Sequence, residues 1–286
     1  SIKGYESYQA LMQCPNIDAI YIANTHDQHF QSIAQCLMHN KHVLSEKPIT
    51  VNAQQLITLK ELAQQQNRFL MEGVWMRFFP AIVKLEELLN EAVIGKVHSV
   101  NANFSLAGEF DSSHRLMNPN TAGGALLDLG IYPLSIADVV FNKAPEKISS
   151  FVHKTDTGVD ARNIAMLDYG NGQFAQLSSA LEQNGPTEAY ITGDHGFIRI
   201  PWFVGAKSIE IHINGQATQH FDYSFNDDEN FKFEIDHVTE CILNKQIQSS
   251  VLPLSTSLRV MTMMDNLRAQ WQLEYSATVE SHNINL

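Results

Sequence analysis

A chain of 286 residues with 44% hydrophobic and 17% charged residues has globular composition and is long enough for one large domain or two medium ones. Its formal net charge of -12 argues against a nucleic-acid binder, which would show a basic face. No signal-peptide start and no apolar run of bilayer length is evident, and Cys14, Cys36 and Cys241 lack CxxC spacing, so a cytoplasmic protein with reduced thiols is expected.

Residues 18–23 (DAIYIA) are apolar and β-branched enough for a buried parallel strand. Residues 27–39 set Phe30, Ile33, Ala34 and Leu37 at helical spacing, with Asn40 as a C-terminal cap. HVLSE at 42–46 reads as a strand ended by Pro48, followed by a helix over 52–66 and a strand over 68–75. This alternation predicts a parallel sheet wound with crossover helices, half of a doubly wound nucleotide-binding fold. A helix over 79–92, a strand over 96–106 and a helical stretch over 123–141 come next. Short alternating segments at 147–155, 162–169, 173–181, 187–193 and 207–213 then suggest an antiparallel sheet, and helices over 230–244 and 255–273 close the chain. The expected boundary lies near residue 75, with the last helices packing on either part.

Glu46-Lys47-Pro48 ends a predicted parallel strand, and open α/β sheets bind ligands beyond the carboxyl ends of their strands. A lysine there can polarise an oxygen or lower the pKa of a neighbouring acid, with Glu46 holding the ammonium. Alone the tripeptide is weak, and an exposed surface lysine is the plainer reading. Residues 123–133, GGALLDLGIYP, open with two glycines that permit close backbone approach. Asp128 and Tyr132 are four apart and share a helix face if the helix runs through Gly130. A carboxylate one turn from a phenol can orient it, and a nearby ammonium would stabilise the phenolate, which suits proton transfer at an alcohol oxygen. The plainer alternative is a structural tyrosine with a solvated aspartate.

Other features carry less. His26 and His29 have no third ligand at suitable spacing, so no metal is expected. His114, beside Arg115, could touch substrate but is a loop histidine. Met261, Met263 and Met264 read as core or subunit contact, and Asp227, Asp228 and Glu229 suit a helix start. Trp75 and Trp202 either line a pocket or fill a core.

The order of IYIANTHDQH (20–29), KHVLSEKP (41–48), EGVWMRFFP (72–80), IGKVHSV (94–100), GGALLDLGIYP and ITGDHGFIRI (191–200) resembles the Gfo/Idh/MocA oxidoreductase family over about residues 5 to 260. EKP followed by GGxxxDxGxY is specific in combination. WMRFFP and Tyr132 are most similar to the family's dihydrodiol and xylose dehydrogenase branch. The resemblance implies an incomplete Rossmann-type domain over 1–75 and a domain with an open, mostly antiparallel sheet over 76–286, for substrate and oligomerisation. It implies Lys47 as catalytic lysine, Tyr132 as acid/base and Asp128 as the carboxylate one turn before it. Asn24, Thr25 and His26 would pass near the cofactor's ribose and pyrophosphate, with His29 counted beside them. Glu46 and Lys47 would line the nicotinamide ribose, Arg77 would lie near the cofactor and the domain junction, and Lys47, Tyr132 and His114 would meet substrate.

The family's opening strand, GxGxxG loop and helix have no counterpart in these residues, where Gly4 stands alone. The expectation is that they belong to the protein but precede Ser1. The residue selecting NAD or NADP would lie there, so either cofactor is implied. The expected reaction moves a hydride between the nicotinamide and a hydroxyl-bearing carbon of a sugar or cyclic diol. A homodimer, with neither membrane nor nucleic-acid partner, completes the expectation. The alternatives are a catalytically inactive nucleotide- or sugar-binding sensor or scaffold and, further off, a glycosidase on the same fold.

Overall fold

The computed structural model describes residues 4–285. Helix α1 (Tyr8–Gln13), capped by the Ser7 hydroxyl, precedes a parallel sheet of β1 (Ala19–Ile22), β2 (His42–Glu46) and β3 (Leu70–Gly73), paired in that order. Crossovers α2 (His26–Met38) and α3 (Ala53–Gln65) connect them. The predicted apolar stripe of α2 is buried, as are His26 and His29 on the same helix. Asn52 starts α3 by accepting a hydrogen bond from the Gln55 N–H, and Asn40 takes a positive φ just beyond α2. Strand β3 is buried throughout and β2 along its centre, with Val43-Leu44 and Leu70-Met71 as their apolar cores, whereas β1 at the edge leaves Tyr21 43% exposed.

A short turn, Trp75–Phe78, leads to α4 (Pro80–Asn90), with Pro80 in the first turn where its missing N–H costs nothing. The second sheet has eight strands: β4 (Val97–Ser105), β5 (Lys147–Lys154), β6 (Asp160–Asp168), β7 (Phe174–Ala180), β8 (Glu188–Gly193), β9 (Gly196–Pro201), β10 (Ser208–Ile213) and β11 (Gln219–Asp222). They lie in the order β11-β10-β9-β8-β4-β7-β6-β5, antiparallel except for β4 against β7. Helix α5 (Ile131–Phe141) covers one face. On the other face Phe151, Ile164, Met166 and Phe174 alternate with less accessible residues and are exposed. Helices α6 (Lys232–Leu243), α7 (Leu254–Trp271) and α8 (Ala277–Glu280) complete the chain.

The expected α/β plus α+β architecture is therefore present. Helix α7 packs on α3 and β3 on one side and on α5 and β5 on the other, so it joins the two sheets instead of choosing one. The tail follows it, with the Gln55 amide donating to the carbonyls of Val279 and Ser281 and Gln31 donating to that of Asn283. Strands β9 and β11 are additions to the sequence expectation. Contrary to the sequence reading, Pro119–Phe141 is long and apolar enough to cross a bilayer, and nearly all of it is buried in the protein core.

Candidate active site

Lys47 follows directly on β2, and its Nζ donates to the backbone carbonyl of Asp128 at 2.6 Å and to Asp128 Oδ1 at 3.2 Å. The carbonyl is accessible because Leu126–Gly130 is a π turn ahead of α5. In a π register each carbonyl bonds the N–H five residues on, which for Asp128 is Pro133, a residue without one. The double glycine before the turn is demanded by packing. A Cβ on Gly123 would sit 2.6 Å from the Leu116 carbonyl oxygen. Gly124, at φ +118, would place one 2.1 Å from Asp160 Oδ1. Asp160 needs that space because its Oδ2 accepts the Leu126 N–H at 2.8 Å and so anchors the turn.

Asp128 is the electrostatic centre. Burial opposes its ionisation, but the Lys47 ammonium, the neighbouring His26 ring and the Arg115 guanidinium override this and hold its carboxyl well below the usual carboxylate range. Arg115 approaches Oδ1 through both terminal nitrogens at 3.3 Å, and His26 Nε2 lies 3.6 Å away. His26 Nδ1 carries the ring proton toward the Ala122 carbonyl at 3.0 Å, since a carbonyl can only accept.

Tyr132 is fully engaged in a different way. The Trp75 indole N–H donates to its hydroxyl oxygen at 2.5 Å, which leaves the phenolic proton free for another acceptor. Burial raises its pKa well above the ordinary value; Trp75 works against that, while Glu46, Asp128 and Glu234 add to it. Lys47 Nζ stands 5.2 Å from the ring centroid, facing the ring and not the hydroxyl. Aromatic side chains wall this end: Phe104 packs edge-on to Tyr132 at 5.5 Å and to Trp202 at 6.1 Å, and Phe231 stacks on Trp75 at 5.4 Å.

A cleft of about 530 Å³ opens from Asp128 along the carboxyl ends of β1 and β2, lined by Asn24, Thr25, His26, Glu46, Lys47 and Arg115 among others. The buried Asn24 Oδ1 and Thr25 Oγ1 have no partner among the described residues, and Thr25 is the N-cap of α2 without using its hydroxyl as a cap. Unmatched oxygens beside a helix N-terminus and two cations suit a hydroxylated, anionic ligand such as a ribose phosphate. The residues present fit the nicotinamide riboside half of a dinucleotide in kind and in volume.

Comparison with known proteins fits this geometry. Residues 1–74 match the model of an oxidoreductase family with an NAD-binding Rossmann fold, and residues 82–199 match the GFO/IDH/MocA C-terminal domain. Mouse trans-1,2-dihydrobenzene-1,2-diol dehydrogenase is 35% identical over 277 residues, covering 93% of this chain and 81% of that protein. The chain belongs to the Gfo/Idh/MocA oxidoreductase family. D-xylose 1-dehydrogenase (NADP(+)) of Hypocrea jecorina is 32% identical over 96% of this chain and 78% of its own length. Among solved structures, an aldose-aldose oxidoreductase from Caulobacter crescentus shares the fold with a TM-score of 0.83 at 20% identity, covering 95% of this chain and 82% of that one. A 3-ketoreductase from Actinomadura kijaniata, crystallised with NADP, gives a TM-score of 0.81 at 24% identity, covering 94% and 82%. Like its relatives in the Gfo/Idh/MocA family, the chain is an NAD(P)-dependent oxidoreductase.

Several expected members of the site make contacts other than those expected. Glu46 does not hold the Lys47 ammonium; its Oε1 accepts the Tyr21 hydroxyl and its Oε2 accepts the Lys47 backbone N–H. Arg77 is buried against Asp138, 3.1 Å away, and faces α5, away from the cleft. His29 lies behind the cleft wall with its ring nitrogens against the carbonyls of Pro48 and Asn24, and burial, then the charge of His26, push its pKa down to about 4. His114 stacks on Phe110 and caps a short turn through the Leu116 N–H. Sequence reasoning favours His114 over its neighbour Arg115, and it reads the indole of Trp75 only as pocket lining or core. Their signal is adjacency to polar motifs, visible but not decisive.

Proposed function

We propose that this enzyme oxidises a hydroxyl-bearing carbon of a sugar or cyclic diol, or reduces the matching carbonyl, with Tyr132 as the acid/base. The observation that carries this is the meeting of Lys47, Asp128 and the Trp75-bonded Tyr132 beside the nicotinamide-sized cleft. The bound nicotinamide supplies the two-electron redox chemistry. Asn24, Thr25, His26, Glu46 and Lys47 would hold its ribose side. Tyr132 exchanges the hydroxyl proton, with Trp75 donating to the oxygen that carries the developing charge. Lys47 is fixed by Asp128 above the phenol ring, where its charge favours the phenolate, and Arg115 shares the carboxylate that would otherwise draw that charge away. The aromatic walls of Phe104, Trp202, Phe231 and Trp75 suit the flat face of a ring. The names of the mouse and Hypocrea relatives support diol and aldose substrates respectively.

Nicotinamide absorbance with NADP+ and either trans-1,2-dihydrobenzene-1,2-diol or D-xylose tests this. Tyr132→Phe and Lys47→Met should each lose at least a hundredfold in kcat, the ordinary worth of a positioned acid/base. Full turnover in either variant sinks the assignment of that residue.

The subunit arrangement belongs to the same reading. Phe151, 80% exposed, with Ile164, Met166 and Phe174 forms an apolar patch on the open sheet face, which supports a homodimer through that face. Phe151→Glu should yield monomers in sedimentation; an unchanged mass would remove this face from consideration.

A further inference from the structure

Glu234 on α6 is an acid that the chemistry so far has not used. Its side chain is wholly buried, yet neither carboxyl oxygen has a hydrogen-bond partner among the described residues. An isolated buried carboxyl of this kind costs several kcal/mol in most proteins and calls for an explanation. The place is specific. The oxygens lie 3.5 and 3.6 Å from where a Cβ on Gly73 would be, which sets the carboxyl against the end of β3. Gly73 is the register partner of Glu46 on β2, and two residues on is Trp75, the donor to Tyr132. Helix α6 is pressed onto this turn by Phe231 on Trp75, Phe233 on Phe79 and His237 on Phe78. The titratable groups that its charge acts on are Glu46 of β2, Tyr21 of β1 and Tyr132 of α5. Arg77, the cation on the turn itself, is paired with Asp138 and does not neutralise it.

Tyr132 is 4% exposed, so a proton that it takes from substrate has no direct exit to water. We propose that Glu234 is the proton relay of this active site, passing protons between Tyr132 and Glu46. In the direction of oxidation the substrate hydroxyl would give its proton to the Tyr132 phenolate oxygen, while the hydrogen on the same carbon would leave with its bonding pair as hydride to a bound nicotinamide. Tyr132 then gives that proton to the Glu234 carboxylate, through a bound water where the gap exceeds hydrogen-bond length. Glu234 gives it to Glu46, whose carboxylate meets the half-exposed Tyr21 hydroxyl and solvent. Reduction runs the same transfers backward. A carboxyl held near neutral pKa suits this task, and burial, with Glu46 adding to it, pushes that of Glu234 up to about 8.

The proposal rests on Tyr132 as acid/base, and two experiments separate the two claims. With NADP+ and the diol or D-xylose as probes, Glu234→Gln should lower kcat at least tenfold and abolish an inflection near pH 8 in its pH profile, and Glu234→Asp should restore part of both. Unchanged kcat and profile in Glu234→Gln, with Tyr132→Phe inactive, would remove the relay and leave the enzyme assignment standing. An active Tyr132→Phe would remove both. The second experiment needs no turnover. In protein labelled with 13C at glutamate carboxyls, one resonance absent from Glu234→Gln should titrate near pH 8 and move to lower pH in Glu46→Gln. A Glu234 resonance already ionised at pH 6, or one indifferent to Glu46→Gln, overturns the relay.

Discussion

Replacing Glu234 by glutamine also has a consequence for stability, and its sign comes from the burial of the carboxyl. In the folded protein this group gives up its proton only near pH 8, whereas unfolded it does so at 4.5. Below 4.5 both states are protonated and the carboxyl imposes no ionisation cost; above 8 neither is, and the folded state bears the full penalty. Between those limits the folded state binds the extra proton, so stability falls as pH rises, at about 1.4 kcal/mol per pH unit. The whole span is worth about 5 kcal/mol, and the part between pH 5.5 and 8.5 about 3 kcal/mol. Glutamine keeps the shape and lacks the titration. Glu72 and Asp160, also buried with raised pKa values, impose slopes of their own, but both proteins share them. The difference in unfolding free energy between the variant and the natural protein should therefore move in favour of glutamine by about 3 kcal/mol from pH 5.5 to 8.5, read from urea midpoints at each pH. Parallel pH profiles for the two proteins would refute the reasoning, since they would mean that Glu234 ionises normally in the folded state.

Trp75→Phe keeps the ring stack on Phe231 but removes the donor to Tyr132. A hydrogen bond to a charged oxygen is worth about 1.5–3 kcal/mol, so kcat should fall about 10- to 100-fold with KM little changed, and equal kinetics would show the contact to be idle. Asp138 is buried between Arg77 and Arg259, and Asp138→Asn strands two guanidinium groups; chemical unfolding should show a loss of about 3–5 kcal/mol, and a loss under about 1 kcal/mol would mean that water already screens them. Gly124→Ala pushes a Cβ onto Asp160 at a positive φ, so the protein should lose about 2–4 kcal/mol along with its activity, whereas an unperturbed, active variant would show the π turn to be less constrained than its packing implies.

How much of this can be read from residues alone depends on how local each cause is. Strands β2 and β3 are legible because each carries a short apolar core, Val43-Leu44 and Leu70-Met71, between helical stretches, and α2 because its stripe keeps a helical period. Strand β11 is not, being four residues, QHFD, paired only to β10 at the sheet edge, with His220 and Asp222 giving no apolar signal. Strand β9 folds back on β8 through Asp194 and His195 and ends at Pro201, so its run merges into a motif and does not stand out as a separate strand. In the site, Lys47 and Asp128 are legible as chemical types at suggestive places. The expected Glu46–Lys47 pairing fails because successive residues at a strand end point to opposite faces. Trp75 and Arg77 belong to one tight turn yet face different partners, one Tyr132 and the other Asp138, which sequence proximity cannot distinguish. Glu234 is legible as part of a helix, but its want of a partner is a property of three strands and a turn converging on it.

The π turn at Leu126–Gly130 makes the site depend on helical phase as well as on residue identity. One extra residue is accommodated there, so everything C-terminal to it, Tyr132 included, is set at an angle that a regular helix would not give. Deleting a single residue from the turn would rotate α5 by about 100°, swing the phenol away from Trp75 and return the Asp128 carbonyl to a helix ladder, with every catalytic side chain still present. In this fold an active and an inactive enzyme can differ by one residue of chain length, and alignments that tally only matched residue types would score the two as equals.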